Sequence, residues 1–295
     1  MGSGSRAVVS VIGRDQKGVV ARVSTYLASC DINIEDIEQR VMEGLFIMTM
    51  QVDLAELSCS LDELAVGLRR IGEELGMEVS LRLARVPRDP KRVAILVTKE
   101  PHCLRQLFQD RASGEIPADF TAVLANHPDL EPIAREQGVP FAWHASKDKE
   151  AHFTFLEQKL AEIRPDLIVL ARYMQILLAR IIARYPSRVI NIHSSLLPYH
   201  PGPHAYRQAW EEGVRVSGCT AHFVTEELDA GPVILQDVFH IRVGEDSLDD
   251  VKERGQTLEA RVLAKAVHLF TTDQLVVKDR KVIFRPGRSG SAVVA

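Results

Sequence analysis

Four cysteines in 295 residues, Cys30, Cys59, Cys103 and Cys219, stand singly, and no C-x-x-C pair occurs. That scatter argues against both a disulfide framework and a zinc site and fits a reducing compartment. A basic excess is also lacking. Lys and Arg number 36 against 40 Asp and Glu, a net charge of −4 with a pI near 6.2. A nucleic-acid binder needs a positive surface, so a small molecule is the better expectation for a ligand. No apolar run reaches the ~18 to 20 residues of a membrane span. The richest stretch, 166–185, is broken by Arg172 and Arg180. The opening Met1-Gly2-Ser3-Gly4-Ser5 has neither a charged n-region nor a long apolar h-region, and Arg6 stands where the myristoylation pattern needs Ser or Thr. The protein is therefore expected in the cytoplasm, with its first five residues flexible.

What the chain does have is length and apolar content. At 46% hydrophobic residues it can fill about two cores at the usual ~100 to 200 residues per domain. Residues 6–85 read as a βαββαβ unit. A strand over Ala7–Ile12 precedes a helix from Gln16 to about Ser29, with Val19, Val20, Val23 and Leu27 on one face. Two strands follow, Ile32–Val41 and Leu45–Leu54, joined by a turn at Glu43-Gly44; the second alternates Phe46, Met48, Met50 and Val52 on one side. A second helix opens on the capping box Ser60-x-x-Glu63, is expected to turn Leu61, Leu64, Leu68, Ile71 and Leu75 inward, and ends at Gly76. A strand over Glu78–Ala84 closes the unit.

Pro87 and Pro90 among charges, between Arg85 and Lys91, look like a domain boundary. Beyond it, Arg92–Thr98, Phe120–Asn126, Asp166–Ala171 and Arg188–Ile192 are short, almost continuously apolar runs separated by helical patterns. Such runs are strands buried on both faces, and their alternation with helices predicts a parallel α/β sheet. Ligands in such sheets sit beyond the C-terminal strand ends, and the richest polar cluster begins at one of them, Asn191.

Asn191-Ile192-His193-Ser194-Ser195-Leu196-Leu197-Pro198 and the later Gly218-Cys219-Thr220-Ala221-His222-Phe223 through Asp229-Ala230-Gly231-Pro232 resemble the signature of the folate-dependent formyltransferase superfamily. The resemblance covers residues 91–285 and implies a Rossmann-like formyltransferase domain with a mostly parallel sheet and an active site of Asn191, His193 and Asp229. Their chemistry suits attack on a formyl carbonyl. Asn191 offers an amide N–H to the developing oxyanion, His193 can donate to it or shuttle a proton, and Asp229 can orient His193 and the nucleophile. Asn191 and His193, two residues apart on a strand, share a face. No G-x-S-x-G elbow surrounds Ser194 and Ser195, which are expected to be turn or hydrogen-bonding residues. Leu170-Ala171-Arg172-Tyr173-Met174-Gln175-Ile176-Leu177 resembles the superfamily loop that holds the pterin ring. The folate pocket it implies involves Arg172, Met174, Leu177, Thr220, His222, Glu226 and Leu228, with Met174 and Leu177 as apolar walls and Glu226–Asp229 offering backbone to the pterin edge.

The branch acting on glycinamide ribonucleotide needs a glycine-rich phosphate cradle after its first strand. Here that position reads Thr98-Lys99-Glu100-Pro101-His102-Cys103-Leu104, without glycine and with a carboxylate. The methionyl-tRNA branch carries a further C-terminal domain, whereas this chain stops shortly after Phe284. Gly13-x-Asp15-x-x-Gly18-Val19-Val20 followed by Asn33-Ile34 looks like an ACT domain, an amino-acid-sensing, ferredoxin-like module. An ACT domain joined to a formyltransferase-like domain resembles the formyltetrahydrofolate deformylase family, as do Thr98–Leu104 and Asn126-His127-Pro128-Asp129-Leu130. The resemblance implies hydrolysis of formyltetrahydrofolate within one-carbon metabolism and purine biosynthesis, with no metal and no cofactor beyond the folate substrate. It also implies a homo-oligomer and an amino-acid effector, for which methionine or glycine would suit. Ser194, where the family tends to have His, and Tyr199-His200-Pro201 depart from its pattern. Two other readings stay open: a formyltransferase with a small amine acceptor, and a non-catalytic folate or amino-acid sensor.

Overall fold

The computed structural model describes residues 6–84, 90–199 and 204–284. The expectations for Met1–Ser5, for linker residues 85–89 and for His200-Pro201 fall outside the described residues. The chain divides into two compact units between Asp89 and Pro90, the second running to Ile283.

The first unit runs β1 (Arg6–Arg14), α1 (Val19–Ser29), β2 (Asn33–Met42), β3 (Leu45–Asp53), α2 (Leu61–Leu75) and β4 (Met77–Ala84). Its sheet is antiparallel in the order β2-β3-β1-β4. Alternation in β1 and β3 buries Ala7, Val9, Val11, Phe46, Met48, Met50 and Val52 together with Val19, Val23 and Leu27 of α1 and Leu64, Leu68 and Ile71 of α2. Removing each of these side chains larger than Ala7 from water contributes roughly 1.5 to 3 kcal/mol. The capping box of α2 forms as expected: the Glu63 N–H donates to Ser60 Oγ at 3.2 Å, and the Ser60 N–H donates to the Glu63 carboxylate at 2.8 Å. Two local expectations are corrected. α1 begins at Val19 rather than Gln16, because Gly18 takes a left-handed conformation (φ 86°) that helix cannot continue through. Leu61 is 41% exposed, since the first residue of α2 precedes the turns that meet the sheet.

The second unit contains β5 (Lys91–Val97), α3 (His102–Ala112), β6 (Ala118–Ala125), α4 (Glu131–Glu136), β7 (Phe141–Trp143), α5 (Lys149–Ile163), β8 (Leu167–Ala171), α6 (Ala179–Arg184) and β9 (Val189–His193). It continues through α7 (Ala205–Glu211), β10 (Val216–Phe223), β11 (Val233–His240), α8 (Leu248–Thr271) and a hairpin of β12 (Leu275–Lys278) and β13 (Lys281–Phe284). Seven strands lie in the order β11-β10-β9-β8-β5-β6-β7. β5 to β9 are parallel, and β10 and β11 extend the β9 edge antiparallel. The apolar runs of β5 and β8 are buried on both faces. Val93, Ile95 and Val97 meet α3 and α8 on one side, while Ala94 and Leu96 meet α5 and α6 on the other. The chain leaves β5 toward β6 and β7 and returns on the opposite side at β8 and β9, so the strand order reverses between β5 and β8, where this class of sheet opens its ligand crevice.

Candidate active site

β9 pairs antiparallel with β10, setting Asn191 opposite His222 and His193 opposite Thr220. The residues between them, Ile190, Ile192, Ala221 and Phe223, turn into the core. Alternation therefore places Asn191, His193, Thr220 and His222 on one patch two strands wide. Asp229 reaches this patch from the loop between β10 and β11. That loop closes where the Phe223 N–H donates to the Pro232 carbonyl at 2.9 Å. A Cβ on Gly231 would lie 1.7 Å from the Phe223 oxygen, so only glycine permits the closure. Asp229 itself has φ 54°, a left-handed conformation that Asp adopts more readily than most residues. Its Oδ2 lies 3.4 Å from His193 Nδ1 and its Oδ1 3.8 Å from His222 Nε2.

The protons on this patch follow from its partners. His222 Nδ1 lies 3.0 Å from the Phe223 carbonyl, which can only accept, so Nδ1 carries a hydrogen. Burial pushes the His222 pKa down, outweighing the Phe223 bond and the Asp229 charge, so the ring is neutral at pH 7. Its Nε2 is then a lone pair, which receives Asn191 Nδ2–H at 3.2 Å. This bond orients the Asn191 amide and leaves it a second N–H. An amide donor, an imidazole and a carboxylate thus lie in one partly desolvated patch, where His193 is 8% exposed. Such a set can hold an oxyanion and move protons. The nearby hydroxyls are engaged elsewhere: Ser195 Oγ donates to the Tyr199 carbonyl at 2.6 Å, and Ser194 Oγ accepts from Arg172 Nη1. Cys219 lies in the core. The patch therefore offers no free side-chain nucleophile among these three.

The residues expected around a folate divide into two groups. Met174 and Leu228 are 52% and 58% exposed, and Glu226 is exposed. The Met174 N–H donates to Thr98 Oγ1 at 2.9 Å, tying the loop after β8 to the loop after β5. Leu177, expected as an apolar wall, is instead 5% exposed in the core with Leu170, Tyr173 and Ile181. Thr220, expected to line the pocket, is fully buried. Its hydroxyl donates to the Ser195 carbonyl at 2.7 Å and accepts from the Leu197 N–H at 3.0 Å and Gln236 Nε2 at 2.9 Å, so it holds the loop after β9. His222, also expected at the pocket wall, is 1% exposed and orients Asn191. Arg172 (φ 60°) turns to Ser194 and to a buried carboxylate, Glu259, at 3.5 Å.

That carboxylate belongs to a second polar cluster that sequence reasoning missed. Glu259 Oε2 lies 2.8 Å from His102 Nε2, and Glu259 Oε1 accepts from the Tyr206 hydroxyl at 2.8 Å. Ligand atoms of His102, Cys103 and Glu259 lie within 4.8 Å of one another, the one such metal-capable trio among the described residues. A signal was present: Glu259 stands in the row Gly255, Glu259, Val262, Ala266, whose helical spacing and burial mark it as inward-facing.

Comparison with known proteins agrees with this architecture. Residues 91–267 match the family model described as formyl transferase, and residues 5–82 match that of the ACT domain. A formyltetrahydrofolate deformylase of Bacillus subtilis is 36% identical over 274 residues, covering 91% of this chain and 90% of the relative. The crystal structure of a formyltetrahydrofolate deformylase from Pseudomonas syringae pv. tomato superposes with a TM-score of 0.83 at 34% identity, covering 96% of this chain and 95% of that one. Glycinamide ribonucleotide transformylase 1 from Symbiobacterium toebii is similar over 67% of this chain and 95% of its own, with a TM-score of 0.63 and 33% identity.

Proposed function

Because the chain belongs to the formyltetrahydrofolate deformylase family, we propose that it hydrolyses formyltetrahydrofolate to formate and tetrahydrofolate through Asn191, His193 and Asp229. The observation that supports this reading most is that an amide donor, an imidazole and a carboxylate converge on one patch whose neighbouring hydroxyls and thiol are engaged or buried, so those side chains do not compete with water as the nucleophile. Asp229 orients the water and accepts its proton as the oxygen attacks the formyl carbon. The carbonyl electrons move onto oxygen, where the second N–H of Asn191 and the His193 ring stabilise the negative charge. Collapse of the tetrahedral intermediate breaks the bond from carbon to nitrogen. The leaving amine takes a proton through the His193–Asp229 pair, giving tetrahydrofolate and formate.

Met174 and Leu228, exposed apolar side chains on loops at the strand ends, cover the pterin faces in this proposal, and backbone groups of Glu226–Asp229 bond its polar edge. As proposed, the reaction needs no metal and no cofactor. The proposal places it in the cytoplasm, in the one-carbon metabolism that serves purine biosynthesis. Among the described residues no helix is long and apolar enough to cross a membrane. We further propose a homo-oligomer whose ACT domain takes an amino-acid effector. The test is formate release from formyltetrahydrofolate by purified protein with no amine present. Formate produced by the wild type and lost in Asp229→Asn is the expected result. Turnover appearing only when a small amine is added would replace hydrolysis by transfer, and folate binding with no turnover in either condition would leave a sensor.

A further inference from the structure

The cluster around Glu259 is not used by the mechanism above, yet it borders it. Glu259 is 0% exposed, and burying an unpaired carboxylate costs several kcal/mol. Here the groups around it are donors: His102 Nε2 and the Tyr206 hydroxyl, each at 2.8 Å, the Ser194 hydroxyl, and Arg172 Nε at 3.5 Å. Burial pushes the Glu259 pKa up, but the His102 bond, the Arg172 charge and the Ser194 bond together outweigh it, so the carboxylate stays ionised. A metal in the His102, Cys103, Glu259 trio would have to displace the direct bond between His102 Nε2 and Glu259 Oε2 at 2.8 Å, and would need the thiolate of Cys103. Burial and the Glu259 charge hold that thiol proton in place.

The five participants come from five separate elements: the start of α3 after β5, the loop after β8, the end of β9, α7 and α8. The β8–β9 register sets Leu170 opposite Asn191, and just beyond the end of β8 the Arg172 guanidinium donates to Ser194, the residue after His193. We propose that Glu259 is a positioning residue: through Arg172 and Ser194 it locks the ends of β8 and β9 together, and so sets the His193 ring against Asp229. The inference rests on the reading of Asn191, His193 and Asp229 as the reacting groups.

Glu259→Gln keeps the shape but turns one acceptor oxygen into an N–H donor facing other donors, which breaks the network. The test compares Glu259→Gln, Glu259→Asp and Ser194→Ala with the wild-type full chain. Readouts are kcat, KM for formyltetrahydrofolate, the stoichiometry of folate binding, and the pH titration of the His193 ring carbon by NMR, assigned with His193→Asn. The expected result for Glu259→Gln is a kcat about 10²-fold lower, the scale of a misplaced catalytic group, with KM within about threefold. The His193 titration shifts in both Glu259→Gln and Ser194→Ala, and Glu259→Asp recovers part of the loss. Unchanged His193 titration in folded Glu259→Gln, or a kcat loss matched by an equal loss of folate-binding protein, would overturn the proposal. Should Glu259→Gln not fold, Ser194→Ala decides by the same NMR readout. If the wild type releases no formate, the functional reading fails while the NMR comparison still decides the positioning role.

Discussion

The two units bury polar groups very differently. Among the described residues of the first unit, Ser10 is the one polar side chain that is buried; in the second, Asn126, His152, His193, Ser194, Ser195, Ser217, Thr220, His222, Glu259 and Thr271 all are. Buried polar groups cost stability unless every one finds a partner, so their concentration in one unit marks where the fold has been shaped by something other than stability. Seven of them, from His193 to Ser195 with Ser217, Thr220, His222 and Glu259, belong to the end of β9, its partner β10, or the cluster beside it. The first unit keeps a nearly all-apolar core.

This contrast can be broken at several points. The largest effect is expected from Asp229→Asn, which should lower kcat about 10³-fold, within the range for removing an acid–base group, while folate affinity stays within about threefold; steady-state kinetics with folate titration checks both. In the first unit Leu64, fully buried between α2 and the sheet, should behave oppositely. Leu64→Ala is expected to cost about 3 kcal/mol of stability with kcat of the folded protein unchanged, measured by denaturant unfolding alongside the assay.

A smaller, graded effect should come from pH. Burial lowers the pKa of His152 and His222 below the ordinary 6.5. The unfolded chain then binds more protons than the folded one as pH falls below that value, so these residues contribute stability above pH 6.5 that is lost on acidification through their lowered values. Hydrogen exchange in the second unit should therefore accelerate between pH 7 and 5, once corrected for intrinsic rates, beyond any change in the first; equal behaviour of both units would contradict this. The smallest effects sharpen the comparison from the other side. α2 and α8 open with the same capping box, at Ser60 and Ser247. Replacing either serine by Ala should cost about 1 kcal/mol in each unit alike, because the units differ in their cores and not in their local helix rules.

Those local rules are why much of the fold was legible in the sequence. The capping box of α2, the alternation in β3 and the continuous apolar runs of β5, β6, β8 and β9 depend on neighbours a few residues away. What lay outside that range was missed: β7 is three residues long, and β10 and β11 sit in a segment that reads as a motif rather than as strands. The motif segments pointed to Asn191, His193 and Asp229; Asp229 lies beside His193 and His222, and Asn191 bonds His222. Which neighbour each one touches could not be read, because the register of β9 on β10 and the left-handed turn at Asp229 are tertiary facts. The same holds for Glu259, whose partners lie 53 to 157 residues away in sequence.

The central claim is that water, oriented by Asp229, attacks the formyl carbon. Turnover in ¹⁸O-enriched water tests it most directly. One solvent oxygen in each formate released, with no amine present, is the result expected for hydrolysis. Formate without solvent label, or formyl transfer that proceeds only with an added amine, would contradict it.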